Sequence, residues 1–141
     1  MYRFEYLDHT ADVEVRGIGD TVEEAFCAVA AGMFNLMIAL DRIAPRESLR
    51  LEVSAPRLEL LLVEWLGRLL GEKEVSGLIF SRFSVGIEET GDGFRLRGEA
   101  WGERLDPARH RPELEVKGVS YAGLRVEERD GRWIAQCVLD T

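Results

Sequence analysis

Two aspartates stand where oxygen chemistry is easiest to assemble. Asp12 closes the run Asp8-His9-Thr10-Ala11-Asp12 near the start of the chain, and Asp140 follows the apolar Cys137-Val138-Leu139 as the penultimate residue. A strand that finishes on an acid gathers a side-chain carboxylate, a backbone carbonyl and the α-carboxylate of Thr141, and hard cations bind such oxygen sets. If the N-terminal strand lies beside the C-terminal one, Asp12 completes an acidic site with Asp140 and Thr141. Singly, each acid has an ordinary explanation: a loop aspartate commonly makes an Asx turn or helix cap, and a terminal one is solvated. His9 has three readings, as metal ligand, proton carrier or turn residue bonded to nearby backbone. Since His9 and His110 are the only histidines, a multi-histidine transition-metal site cannot be built. Oxygen ligation at Asp12 and Asp140 is therefore favoured, with His9 as a brace behind the ligands. Lys117 alternates with Val116, and the ordinary reading of that position is an exposed lysine on a strand.

Three separated motifs carry a resemblance: the opening Asp8-His9-Thr10-Ala11-Asp12, the block Glu115-Val116-Lys117-Gly118-Val119-Ser120-Tyr121, and the closing Val138-Leu139-Asp140. With the intervening Glu23-Glu24-Ala25-Phe26, the chain resembles the archease family nearly end to end. The resemblance implies a non-enzymatic helper of the GTP-dependent, RtcB-type RNA ligase of tRNA splicing and RNA repair, promoting the ligase's covalent guanylate intermediate and its repeated turnover. It also gives Lys117 and His9 a role beside the acids, with a divalent cation (calcium, magnesium or manganese) as cofactor. Two positions depart from the family pattern. Glu14 stands where a small or neutral residue is common, adding negative charge near the site; Ala122 follows Tyr121 where many members carry histidine, removing a ligand. Rival readings are a small metal-dependent hydrolase using the same acids with His9 as base, and a chaperone-like interaction module without a metal.

Two helices and several strands must position these residues. Val22, Ala25, Phe26, Val29, Ala30, Met33, Phe34 and Met37 form one apolar stripe at helical spacing, and Thr21 with Glu24 supplies its capping box. Leu58, Leu61, Leu62, Trp65, Leu66 and Leu69 form a second, opened by Ser54 to Pro56 and predicted to stop near Gly71. Elsewhere the apolar period is two, in Tyr2-Phe4-Tyr6, Leu49-Leu51-Val53 and Phe94-Leu96. Gly91-Asp92-Gly93 and Asp130-Gly131 read as hairpin turns, and the near-continuous apolar run from Trp133 to Leu139 reads as an interior strand. Gly17 to Asp20 is expected to be a tight connection, Gly102 to Pro112 one long irregular segment, and Tyr121 a core residue with its hydroxyl at the edge. The fold class predicted is α+β, two amphipathic helices packed on a mixed, largely antiparallel sheet, as a single domain over residues 1–141.

Composition limits the function further. With 46% hydrophobic and 31% charged residues the chain has a globular composition, and no apolar run approaches a membrane span. Charges interrupt Met1-Tyr2-Arg3-Phe4-Glu5, so no signal-peptide core is read and a cytoplasmic location is expected. Cys27 and Cys137 stand far apart and read as small apolar residues. There is no Gly-x-Ser-x-Gly elbow, phosphate loop or His-Glu-x-x-His motif. A net charge of −8 opposes autonomous binding to a phosphate backbone, whose affinity comes largely from cations that release counterions. The isolated protein is therefore expected to bind RNA at most weakly near physiological salt; tight, saturable binding of tRNA fragments in a filter or anisotropy titration would contradict the helper reading.

Overall fold

The computed structural model describes residues 1–7 and 12–141, so His9 lies outside the described residues. The first helix, α1 (Val22–Met37), starts as its capping residues dictate. Thr21 Oγ1 accepts the Glu24 N–H at 3.1 Å, and Glu24 returns a carboxylate oxygen to the Asp20 N–H at 2.9 Å. The reciprocal bond thus falls one residue earlier than in the usual capping box. The helix is buried all round, because Ala28, Ala31 and Gly32 complete the faces that the large apolar stripe leaves. A helix apolar on every side needs cover on every side.

Two antiparallel sheets supply that cover, refining the single sheet expected while keeping the α+β class. One contains β1 (Tyr2–Leu7), β2 (Val13–Gly19), β8 (Arg132–Asp140) and, along the far edge of β8, β6 (Gly118–Val119) and β7 (Arg125–Arg129). The other has the order β3 (Glu47–Ala55), β5 (Gly93–Arg104), β4 (Leu78–Thr90). Helix α1 packs against β1, β2 and β8 of the first sheet and β4 of the second; α2 (Leu58–Ser76) packs against β3, β4 and β5 of the second and β6 and β7 of the first. Trp65 of α2, fully buried, ties the helices by donating its indole N–H to the Phe26 carbonyl at 3.2 Å.

Several local expectations are corrected. Gly17 and Gly19 are not a connection but the end of β2, lying so close to α1 that a Cβ on Gly17 would come within 2.4 Å of the Ala25 carbonyl. Gly71 does not stop α2, since an exposed interior glycine costs a helix only about 1 kcal/mol. The helix ends where Gly77 takes the left-handed conformation and donates its N–H to Lys73 O at 2.9 Å. Nor is the stretch from Gly102 to Pro112 irregular throughout: it begins as the end of β5 and includes the short helix α3 (Pro107–His110). The hairpin turns fall as expected, with Asp130 and Gly131 both at positive φ.

At the end of β5 sits a polar hub that the sequence did not announce. Glu103, 5% exposed, accepts the Ala44 N–H at 2.8 Å, pairs with Arg109 at 2.8 Å and meets the wholly buried His110 Nε2 at 2.9 Å. His110 Nδ1 accepts the Asp106 N–H at 2.8 Å, so Nε2 carries the hydrogen donated to Glu103. The hub fastens α3 and the approach to β3 to one carboxylate, and from α3 the chain runs on past Glu113, whose N–H is held by Met37 O at 2.8 Å.

Two stability predictions arise. Phe26→Ala or Leu62→Ala, each emptying a fully buried position, is expected to cost about 2–5 kcal/mol in denaturant unfolding through the cavity left behind. Glu103 is held down to about 2 by Arg109 first, then by the Ala44 N–H and His110 against the opposing cost of burial. Its folded-state value lies below that of an unfolded carboxylate, near 4.3. The hub therefore contributes fully above about pH 5 and its contribution is lost as pH falls from there towards 2. Unfolding midpoints measured across that range are expected to fall with acid in the wild type and less steeply in Glu103→Gln; parallel curves would contradict this assignment.

Candidate functional site

The register of β2 against β8 brings the two aspartates to the same end of the strand pair. Val13 pairs with Leu139 and Arg16 with Gln136 in antiparallel register, and Asp12 and Asp140 each lie one residue beyond the last of these pairs. Residues directly opposite share a face, and the face of Arg16 and Gln136 is the outer one. On the inner face Ala135, Cys137 and Leu139 are fully buried against the core, which leaves Gln136, Val138 and Asp140 pointing outward. Asp140 is exposed and Asp12 and Thr141 are partly so.

On its other side Asp140 is flanked by β6, where Gly118 is its partner. A Cβ at Gly118 would lie 3.9 Å from Asp140 Oδ2, so the glycine leaves that side of the carboxylate open. Lys117 is exposed at the same rim, and its backbone N–H donates to the Asp140 carbonyl at 2.8 Å. Of the residues the sequence singles out, Lys117 is bonded through its backbone to Asp140, Thr141 follows Asp140 in the chain, and Asp12 directly precedes Val13, the residue paired with Leu139. The Lys117 ammonium forms no ion pair with either acid among the described residues. Lys117 reaches this corner because the segment before it is anchored first by the Glu103 hub and then by Glu113 on the end of α1.

Glu14, the unexpected charge beside the site, is tied into a ladder across the outer face. Gln136 donates to Glu14 and accepts from Arg16 Nε at 2.8 Å, and Arg16 NH1 reaches Glu5 at 3.2 Å. Its carboxylate is thereby engaged away from Asp12. Tyr121 corrects an expectation: it is 69% exposed, on the turn after β6, rather than in the core. That turn is closed by the Ala122 N–H donating to Ser120 Oγ at 3.1 Å, so Ala122 stands in an exposed position. The missed residues are Gly118, whose role depends on what pairs opposite it, and Glu103 with His110. The Asp106-Pro107 step, a helix-start signal ahead of His110, was the available hint.

The donors at the corner are hard oxygens, suited to a hard cation. Among the described residues no three His, Cys, Asp or Glu side chains form a metal-binding group, so a cation held there draws on two carboxylates supplemented by backbone or terminal oxygens. Softer ligation is remote: Cys27 and Cys137 are buried, and burial pushes both thiols up to about 12. No helix among the described residues is long and apolar enough to cross a membrane.

Known proteins are similar to this chain in sequence and fold. Residues 4–141 match the Archease protein family (MTH1598/TM1083). Protein archease of Thermococcus gammatolerans is 46% identical over 141 residues, and that of Pyrococcus abyssi 43% over 141, with 99% of each chain covered. The solution structure of Methanobacterium thermoautotrophicum protein 1598 superposes with a TM-score of 0.87 at 33% identity, covering 98% of both chains. A crystal structure from Thermotoga maritima, named an archease and possible chaperone, shares the fold at a TM-score of 0.60 and 18% identity, covering 97% of this chain and 96% of that one. By its match along nearly its whole length and by these relatives, the chain belongs to the archease family.

Proposed function

We propose that this protein is a non-enzymatic, metal-binding cofactor that activates a GTP-dependent RtcB-type RNA ligase in tRNA splicing and RNA repair. The observation that supports the reading is that Lys117 is bonded through its backbone to Asp140 at the end of β8, the end at which Val13, the residue after Asp12, pairs with Leu139. Such a corner can enter a partner's active site. A hard cation bound there supplies positive charge for stabilising a nucleotide phosphate. The chain's own residues do the rest: Asp12 and Asp140 provide the oxygen ligands with Thr141, and Lys117, anchored through its backbone to Asp140, offers an ammonium to a phosphate or an acid of the ligase. The ligase keeps its own nucleophile, so guanylylation and repeated turnover are promoted without chemistry in this protein.

A hydrolase gains no base from His110, which is bonded on both ring nitrogens within the hub; the base in that reading is His9, which lies outside the described residues. The possible-chaperone description attached to the Thermotoga maritima protein supports a second reading, a protein-interaction module in which the corner has no metal role.

The tests separate charge from fold. Asp12→Ala and Lys117→Ala remove polar atoms at a rim and are expected to leave thermal unfolding nearly unchanged while abolishing stimulation in a guanylylation assay with a purified RtcB-type ligase. Asp140→Asn keeps the shape but removes one charge, so calorimetric titrations with calcium, magnesium and manganese are expected to show weaker binding. Full stimulation by Asp12→Ala would refute the proposed corner. Unchanged metal affinity and full activity in Asp140→Asn would favour the interaction module.

A further inference from the structure

The two-sheet sandwich is closed over α1 but open over α2. Every residue of α1 from Ala25 to Phe34 is buried, whereas α2 leaves Glu64, Gly67 and Arg68 exposed between the edges of the two sheets. The opening is a groove of about 610 Å³, with Val63 and Gly67 in its floor, Val53 and Ser54 along one wall and Val119 and Tyr121 along the other.

Its first wall is an edge strand. β3 pairs with β5 along its whole length, and among the described residues no second strand pairs with it. Nine residues of strand with one free edge form a template for an added strand, the hazard that proteins ordinarily cover. The floor gives room for one. A Cβ on Gly67 would meet nothing within 4 Å, so the helix surface there is open. The charges define the occupant further. Glu52 is paired with Arg97 at 3.0 Å and Arg68 with Glu72 at 3.2 Å, leaving Glu64 without an ion pair among the described residues. The opposite wall runs directly into the acidic corner, since Val119 is adjacent to Gly118, the partner of Asp140.

We infer that this groove docks an extended segment of the partner ligase, which adds as a strand to the free edge of β3, places a basic side chain against Glu64 and packs apolar atoms against Tyr121. Main-chain hydrogen bonds give such a segment its hold, and the floor and walls give it selectivity. The inference rests on the ligase reading and adds a second surface to it: the corner acts on the ligase, and the groove holds it.

The test measures binding and stimulation separately, using the full chain and a purified RtcB-type ligase. Glu64→Lys, Gly67→Gln and Tyr121→Ser alter exposed atoms, and unchanged thermal unfolding establishes that each folds. Each is expected to weaken ligase binding about ten-fold or more, as loss of an interface anchor does, while Asp12→Ala still binds. Asp20→Lys, exposed beyond the end of β2 where Gly19 pairs with Trp133, far along β8 from Asp140 and Val119, is expected to bind as wild type. Hydrogen exchange is expected to slow across residues 47–55 when the ligase is added. Wild-type affinity in all three groove variants, no slowing at β3, or an equal loss in Asp20→Lys would overturn the groove and leave the corner standing. No binding or stimulation by the wild-type protein would overturn the ligase reading and the groove with it.

Discussion

The approach of α1 to β2 sets the geometry of the rest of the molecule. At Gly17 and Gly19 the strand lies against the helix backbone with no space for a side chain. This proximity buries one face of α1, Gly32 included, among β1, β2 and β8, while Phe34 on another face packs against Phe80 and Phe83 of β4 in the second sheet. Interiors packed at this density leave little freedom for a strand to slide. Because a slip of one residue between β2 and β8 would turn Val15, Cys137 and Leu139 out of the core, the same packing that stabilises the fold fixes Val13 opposite Leu139 and so the end of the pair at which Asp12 and Asp140 lie.

A second constraint delivers Lys117. It lies at the end of a stretch with little regular structure, and such a stretch holds its place only through specific bonds. The buried Glu103, shared by Arg109, His110 and the Ala44 N–H, supplies the first of them, the Glu113 bond to Met37 the second and the Lys117 bond to Asp140 the last. Each of these attaches the segment to an element of the core. The charge distribution follows a related logic. On the outer face, Glu5, Arg16, Gln136 and Glu14 satisfy one another, while Asp12, Asp140 and Lys117 enter no ion pair among the described residues. Unpaired charge at an exposed rim suits recognition of something outside the chain.

Much of this was legible in the sequence, for reasons that can be stated. Helix α1 declared itself by a stripe of eight apolar positions and a capping pair, the hairpin at Asp130-Gly131 by residues tolerant of positive φ, and the central placement of β8 by an apolar run interrupted only at Gln136. The neighbour of β8 is the second strand, β2, with β1 on its far side, so the N-terminal strand of the sequence reading is not the one beside the last. What was missed depends on tertiary context. The second sheet was missed because the apolar positions of α1 show that cover is needed and not what supplies it. The end of α2 was misplaced at Gly71 because burial of Leu69 and Leu70 outweighs the local cost of one glycine. Tyr121 was assigned to the core by type, yet its place on a tight turn after β6 turns it outward. His110 and Glu103 gave no periodic signal, because a buried ionic hub is defined by distances between segments and not by spacing within one.

The central claim is that Asp12 and Asp140 form one cation-binding corner, and the most direct test is the paramagnetic effect of manganese on the backbone amide NMR spectrum. Line broadening at low manganese occupancy reports proximity to the bound ion residue by residue. The account predicts broadening centred on Asp12, Gly118 and Asp140, fading along β2 towards Gly19 and along β8 towards Arg132. Broadening centred elsewhere, for instance on Glu72 and Glu74 near the end of α2, or spread evenly over the acidic surface, would contradict it.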